Sequence, residues 1–223
     1  MNLPELLLLL QHGDSFFPGG GFASSWGLET LSAETQVHDA ATLSSFIESQ
    51  LRYRWALCDR PALHNTYRVG DKLEAVAEID AEVEALSLVR DLRVASRRAG
   101  RALLRVHAQL GAATAAAYLE QIQGGHAHGH VPIVQGLVWR NLALDVTAAE
   151  TLAGHLLCVA LVSAAVRLGC IGYIEGQQVL RVAHATLAHV LQRPAPICLS
   201  TFSPVADIAI MRHEVQSVRL FAS

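Results

Sequence analysis

The sequence is short of the features that usually announce chemistry. Its four cysteines, Cys58, Cys158, Cys170 and Cys198, are scattered and form no Cys-x-x-Cys. That usage fits reduced, mostly buried thiols in a cytoplasmic protein. Charged residues make up only 17% of the 223 positions and the formal net charge is −3. With no dense Lys/Arg patch, there is no electrostatic case for nucleic acid. Long apolar runs are also lacking. Residues 6–10 are leucine but short, and neither a basic leader nor a cleavage site accompanies them. Residues 152–171 include His155 and Arg167, and their longest apolar stretch falls short of the roughly 18 residues a membrane span needs. Both segments read as buried helices. Sustained strand-type alternation, internal repeats and low-complexity linkers are absent too.

Catalytic signatures fail one by one. Gly19-Gly20-Gly21 lacks the lysine of a phosphate loop. The dinucleotide fingerprint fails because position 24 is Ser. There is no Gly-x-Ser-x-Gly elbow and no Cys/His pair by local spacing. His213-Glu214 lacks the second histidine of a zinc-protease helix, since position 216 is Gln and position 217 is Ser. No catalytic set and no cofactor are expected, although a site assembled from distant residues stays open as an alternative.

What is present is apolar: 52% of the residues are hydrophobic. Valine and isoleucine are embedded in alanine and leucine, which favours helix. The expectation is an all-α protein, residues 1–223 forming a single globular array of about ten helices. Its organising stretch is residues 13–31, with Pro18, Gly19-Gly20-Gly21 and Phe22. Three glycines permit positive φ and close approach of another surface. Their entropic cost calls for a compensating contact. Ser24 or Ser25 is expected to cap a short helix over 25–33, with Glu29 near its first turn.

Further along, Asp39 caps a helix whose apolar residues recur from Leu43 to Cys58; Asp59-Arg60-Pro61 interrupts it, and Pro61 sits at the first turn of the next helix, through Leu63 and Tyr67 to Val69. Gly70-Asp71 is a stop followed by a cap. Leu73, Val76, Ile79, Val83 and Leu86 then mark one face, with Glu74, Glu78, Glu82 and Glu84 opposite. Arginines from Arg90 to Arg105 follow. They read as a solvated face with intrahelical ion pairs of small value, or as a docking surface for an acidic partner. An Ala-rich helix over 108–122 is expected to pack closely at Gly111 and to end at Gly124-Gly125. Pro132 opens the next helix, Thr147 caps a long one to Leu168, and residues 175–191 make another. Pro204 starts the last, reaching about residue 217.

Two stretches invite binding hypotheses. Gly-Gly-His-Ala-His-Gly-His over 124–130 offers His126, His128 and His130, and imidazole suits nickel, zinc and copper. With no acid or thiol beside them, they equally make a solvated loop. A histidine-based metal-transfer protein is therefore the rival reading. The tail Arg219-Leu220-Phe221 joins a cation to apolar side chains, a composition suited to docking on this chain or on a partner.

Four stretches in order resemble the UreF family of urease accessory proteins. Residues 17–29 resemble its Leu-Pro-x-Gly-x-Tyr/Phe-x-x-Ser-x-Gly-Leu-Glu signature. His130-Val131-Pro132-Ile133-Val134-Gln135-Gly136 is the second. Residues 164–172 with Gly176-Gln177-Gln178 are the third. Pro204, Asp207, residues 211–214 and Arg219-Leu220-Phe221 with Ser223 are the fourth. The resemblance implies a non-enzymatic homodimer that joins a UreD/UreH-type accessory protein, recruits the UreG GTPase and delivers nickel to apo-urease. It implies partner contacts at Phe22, Ser25, Glu29, His213, Glu214, Arg219 and Phe221. Phe22 stands where many members have Tyr, and Ala222 where an arginine is common. His126 and His128 lie outside the family pattern.

Overall fold

Helix signals in this chain are mostly local, and they act where tertiary packing agrees with them. The computed structural model describes residues 2–19, 24–214 and 220–221. In chain order the helices are α1 (Leu3–Gly13), α2 (Leu28–Ala33), α3 (Ala40–Ser49), α4 (Arg60–Val69), α5 (Leu73–Leu86) and α6 (Arg90–Gln109). They continue as α7 (Ala113–Gln123), α8 (Val131–Asn141), α9 (Val146–Arg167), α10 (Tyr173–Leu191) and α11 (Pro204–His213). No strand occurs among the described residues, so the fold is the expected all-helical array.

Several caps follow the sequence. Asp39 accepts the Thr42 amide at 2.8 Å and Thr42 reciprocates, a capping box that starts α3. Others differ. Asp145, not Thr147, caps α9 by accepting the Ala148 amide at 2.9 Å. Lys72, not Asp71, precedes α5 and makes no side-chain cap. The Ala-rich segment does not run on from α6. It breaks at Gly111, whose φ of +91° turns the chain, and no atom lies within 4 Å of where a Cβ would sit there. Gly100 is the site of close packing instead: its Cβ would come 2.1 Å from the Gly129 carbonyl oxygen.

Pro61 stands in the first turn of α4, as expected, but the helical path is not interrupted before it. A π-helical segment, Gln50–Asp59, joins α3 to α4 without a break. A proline inside a helix removes one amide and clashes with the carbonyl four residues back, here that of Leu57. The π register relieves this: the Arg60 amide reaches back to the Trp55 carbonyl. The Leu57 carbonyl accepts instead from the Ser200 amide at 2.9 Å. The Phe202 amide donates to the Tyr53 carbonyl at 3.3 Å, and Gln50 Nε2 donates to Ser203 Oγ at 2.9 Å. The segment before α11 is thus strapped along the π-helical turn.

Helix α9 is the centre. It packs on α10, α8, α1, α4, α2 and α3, and buries Leu152, Leu157, Cys158, Leu161 and Ala165. It is 22 residues long with a mean hydropathy of 1.7, so it does meet the length and apolarity of a span. It meets them as a core helix, with 61% of that window inside the fold. Arg60 ties α4 to both neighbours. Its Nε donates to Glu150 at 2.8 Å, and its other nitrogens donate to the Val190 and Arg193 carbonyls that end α10. Cys58 and Cys158 are buried as expected, and burial pushes both thiols up to about 12. Cys170 is half-buried and Cys198 exposed, contrary to the expectation of general burial.

Candidate functional site

Helix α2, helix α11 and residues 220–221 meet at one carboxylate. Trp26 and Gly27 take left-handed backbone conformations, with φ of 55° and 82°. They delay the start of α2 to Leu28, so Gly27 rather than Ser24 or Ser25 holds the N-cap position. Ser25 is fully buried and its Oγ accepts from the Glu29 amide at 3.5 Å. The turn leaves the Glu29 carboxylate facing α11. Oε2 accepts from His213 Nε2 at 2.9 Å and from the Phe221 amide at 3.1 Å. Oε1 accepts from the Leu220 amide at 2.6 Å. Hydrogen bonds to a charged acceptor are the strong ones. Here they hold a chain end that termini otherwise leave frayed.

The ring of Phe221 is buried in the core and lies 4.3 Å below the Arg167 guanidinium. Such a cation–π contact contributes about 0.5–2 kcal/mol depending on desolvation. Of the residues expected to face partners, Ser25, His213 and Phe221 therefore point inward, and Glu29 is largely covered. Glu214 is exposed. Phe22 and Arg219 lie outside the described residues, as does the expected end of the last helix near residue 217. Leu220, whose amide Glu29 holds, is about half exposed, as are Ile208 and Met211 of α11.

The histidine loop is organised by a residue the sequence did not single out. Asp80 of α5 is fully buried. It accepts from the amides of His128, Gly129 and His130 at 2.8, 2.6 and 3.1 Å, and from the Tyr118 hydroxyl at 2.8 Å. Consecutive amides converging on an anion form a nest. Burial, with Asp80 beside it, raises the Tyr118 phenol far above its usual range. One signal was available. Position 80 is four residues after Val76 and three before Val83, so it is a lone acid on an apolar face. Ile79, expected on that face, is only half-buried.

The three loop histidines do not converge. The His130 ring is fully buried, with Nδ1 3.1 Å from Ser96 Oγ and Nε2 2.8 Å from Glu84. Burial lowers its pKa against the opposing pull of Asp80 and Glu84. His128 Nδ1 is 3.9 Å from Glu84, and His126 is exposed. Among the described residues no group of three or more His, Cys, Asp or Glu side chains is arranged to hold a metal ion. Glu84 also meets Arg93 and Arg97 of α6, so these ion pairs are interhelical rather than intrahelical. Burial works to raise the Glu84 carboxyl; the His130 hydrogen bond and Arg97 override it and hold the group below its ordinary value.

An apolar cavity of about 150 Å³ lies under the start of the Gly-rich turn, lined among others by Phe17, Trp26, Trp55, Leu103 and Trp139. His12 also lines it and stacks on His107, with ring centroids 5.3 Å apart. Burial, then the neighbouring His12, lowers the His107 imidazole to about 4. Periodicity could not reveal this pair, because the two rings are joined only by the fold.

The UreF family model matches residues 37–184. The chain is 33% identical to the urease accessory protein UreF of Paenarthrobacter aurescens, each chain being covered completely. It is 35% identical to UreF of an Arthrobacter species, over 97% of this chain and 96% of that one. It is 31% identical to UreF of Trichodesmium erythraeum, over 100% of this chain and 98% of that one.

Proposed function

Because the chain belongs to the UreF family of urease accessory proteins, with a role in urease maturation, we propose that it is the non-catalytic scaffold of a nickel-delivery assembly. In this reading residues 1–223 act as one all-helical domain, as a cytoplasmic homodimer. The domain binds a UreD/UreH-type accessory protein, recruits the UreG GTPase and presents nickel to apo-urease. Nickel is cargo here and no resident cofactor is required.

The observation that carries the reading is the Glu29 node. One carboxylate joins the helix after the Gly-rich turn to the last helix and to the tail. Two stretches nearly 190 residues apart are thus joined, with half-exposed Leu220 at the junction and half-exposed Ile208 and Met211 elsewhere on α11. Ser25, His213 and Phe221 act by shaping that junction from beneath. Glu214, and by proposal Phe22 and Arg219, supply contacts to partners. Apolar groups flanked by an arginine make suitable anchors at an interface.

The test is co-purification of the GTPase and of the UreD/UreH-type protein with the wild-type chain and with Arg219→Ala and Phe22→Ala. Weakened recruitment by either variant, with the helical circular dichroism unchanged, is expected. Undiminished recruitment of both partners by both variants would remove the assignment.

A further inference from the structure

Away from the Glu29 node, two imidazoles meet on the outer side of the α9–α10 pair. His155 of α9 and His184 of α10 place Nδ1 and Nε2 3.0 Å apart, with ring centroids 5.1 Å apart. His155 is half-buried and His184 exposed. The rings open on a shallow cleft bordered by Thr151, Leu187, Leu191 and Gln192. Neither ring has an ion-pair or other hydrogen-bond partner among the described residues.

The pair is hard to account for as a stabilising contact. A neutral hydrogen bond in contact with water contributes little. Protonating both rings would set like charges against each other. Burial, then His184, lowers the His155 pKa, so this ring is predominantly neutral, the form that ligates metals, at neutral pH. The Cδ2 edge of the ring faces Gly13, which ends α1, where even an added Cβ would lie 3.9 Å away. The Nδ1 edge faces His184 of α10.

The separation has a chemical meaning. Metal–imidazole bonds are about 2.0–2.1 Å long. Two such bonds at a right angle put their nitrogens about 3.0 Å apart, while a tetrahedral angle requires about 3.4 Å. The observed 3.0 Å matches adjacent positions of a tetragonal or octahedral shell, the preference of Ni(II) and Cu(II).

We propose that His155 and His184 form a surface site for a late first-row divalent cation of the Ni(II) or Cu(II) type, with water from the cleft filling the remaining positions. On binding, the hydrogen shared between Nδ1 and Nε2 is displaced. His155 then carries its ring hydrogen on Nε2 and His184 carries its own on Nδ1, so a neutral pair changes tautomer without net proton release. With two protein ligands the site exchanges its ion readily and leaves positions open to a further donor. It is separate from the loop containing His126, His128 and His130, and it does not depend on the proposed scaffold role.

The experiment is isothermal titration of the untagged full-length chain with NiCl₂, and with MgCl₂ as the hard-cation control. It is repeated on His184→Ala, His155→Gln and the double variant His126→Ala/His128→Ala. One Ni(II) per chain and no Mg(II) binding are expected. His184→Ala lowers the affinity by more than about tenfold, since even outer partners of metal ligands cost that much. The loop double variant leaves it unchanged. Because His184 is exposed, its variant keeps the proposal testable if His155→Gln fails to fold. Absence of binding to the wild-type chain, undiminished binding to His184→Ala, or loss of binding in the loop variant alone would each overturn the site. None of these results bears on recruitment of the GTPase, so the two readings fail independently.

Discussion

Asp80 and Glu29 use the same chemistry on different material. Each carboxylate gathers backbone amides from a distant segment and adds one side-chain donor. Asp80 takes three amides and the Tyr118 hydroxyl, with no exposure to solvent. Glu29 takes two amides and His213, near a surface. Asp80 holds an internal loop fixed at both ends by α7 and α8. Glu29 holds a chain end. An anchored loop has nowhere to go when its acceptor is lost, so the loss is felt as global stability. A chain end can leave by itself, so the loss is felt as local opening. The difference between a structural node and one suited to assembly lies in what the carboxylate restrains, not in its hydrogen bonds.

The largest expected effect breaks the first half of this comparison. Asp80→Ala strands three interior amides and a phenol, each such loss costing about 1–3 kcal/mol. Urea unfolding should show a drop of at least about 3 kcal/mol. A drop below 1 kcal/mol would mean that water replaces the carboxylate and the node is not structural.

Acid stability is next and must be subtracted before the two nodes are compared at low pH. His107 titrates near 6.5 in an unfolded chain and near 4 when folded. Between those values the unfolded chain binds the extra proton. Stability is therefore complete above about pH 6.5 and falls as pH drops toward 4, by about 3 kcal/mol in all. Denaturation midpoints measured across that range should flatten in His107→Gln. An unchanged slope would assign the acid sensitivity to another group.

Packing against the anchored loop gives a smaller effect. Gly100→Ala drives a methyl group into the Gly129 carbonyl and should cost about 1–3 kcal/mol. A neutral result would show that the loop yields, making it less rigid than its Asp80 bonds indicate. The smallest effect belongs to the tail. Glu29→Gln keeps an acceptor but loses the charge, for about 1–2 kcal/mol. Hydrogen exchange should quicken at the Leu220 and Phe221 amides while α9 amides stay protected. Uniform acceleration through α9 would collapse the distinction and make Glu29 a core residue like Asp80.

Much of the fold was legible because its signals are local. The Asp39 box, the stop at Gly70, the helix opening at Pro132 and the end at Gly124-Gly125 depend on residues a few positions apart. Pro61 does stand in the first turn of a helix that ends at Val69, but the expected interruption before it is missing for a tertiary reason: the Leu57 carbonyl is taken by Ser200, far along the chain. Close packing expected at Gly111 falls at Gly100 instead, because a glycine's use depends on what approaches it. For the site, Glu29, His213 and Phe221 were all singled out as implied partner contacts, and the tail also as a segment able to dock on this chain. Their inward convergence depends on α11 being strapped to the π-helical segment.

The sequence alone determined that this is a helical protein with a large apolar core, no visible catalytic set, and motifs in UreF order. These rest on composition, short-range periodicity and capping, which need no knowledge of the third dimension. Only the tertiary structure decided which acids are buried, which histidines meet, and that the tail folds back onto the first turn. Those outcomes depend on pairs separated by tens to nearly two hundred residues. Their contact becomes favourable only once helix packing around α9 has already brought them together.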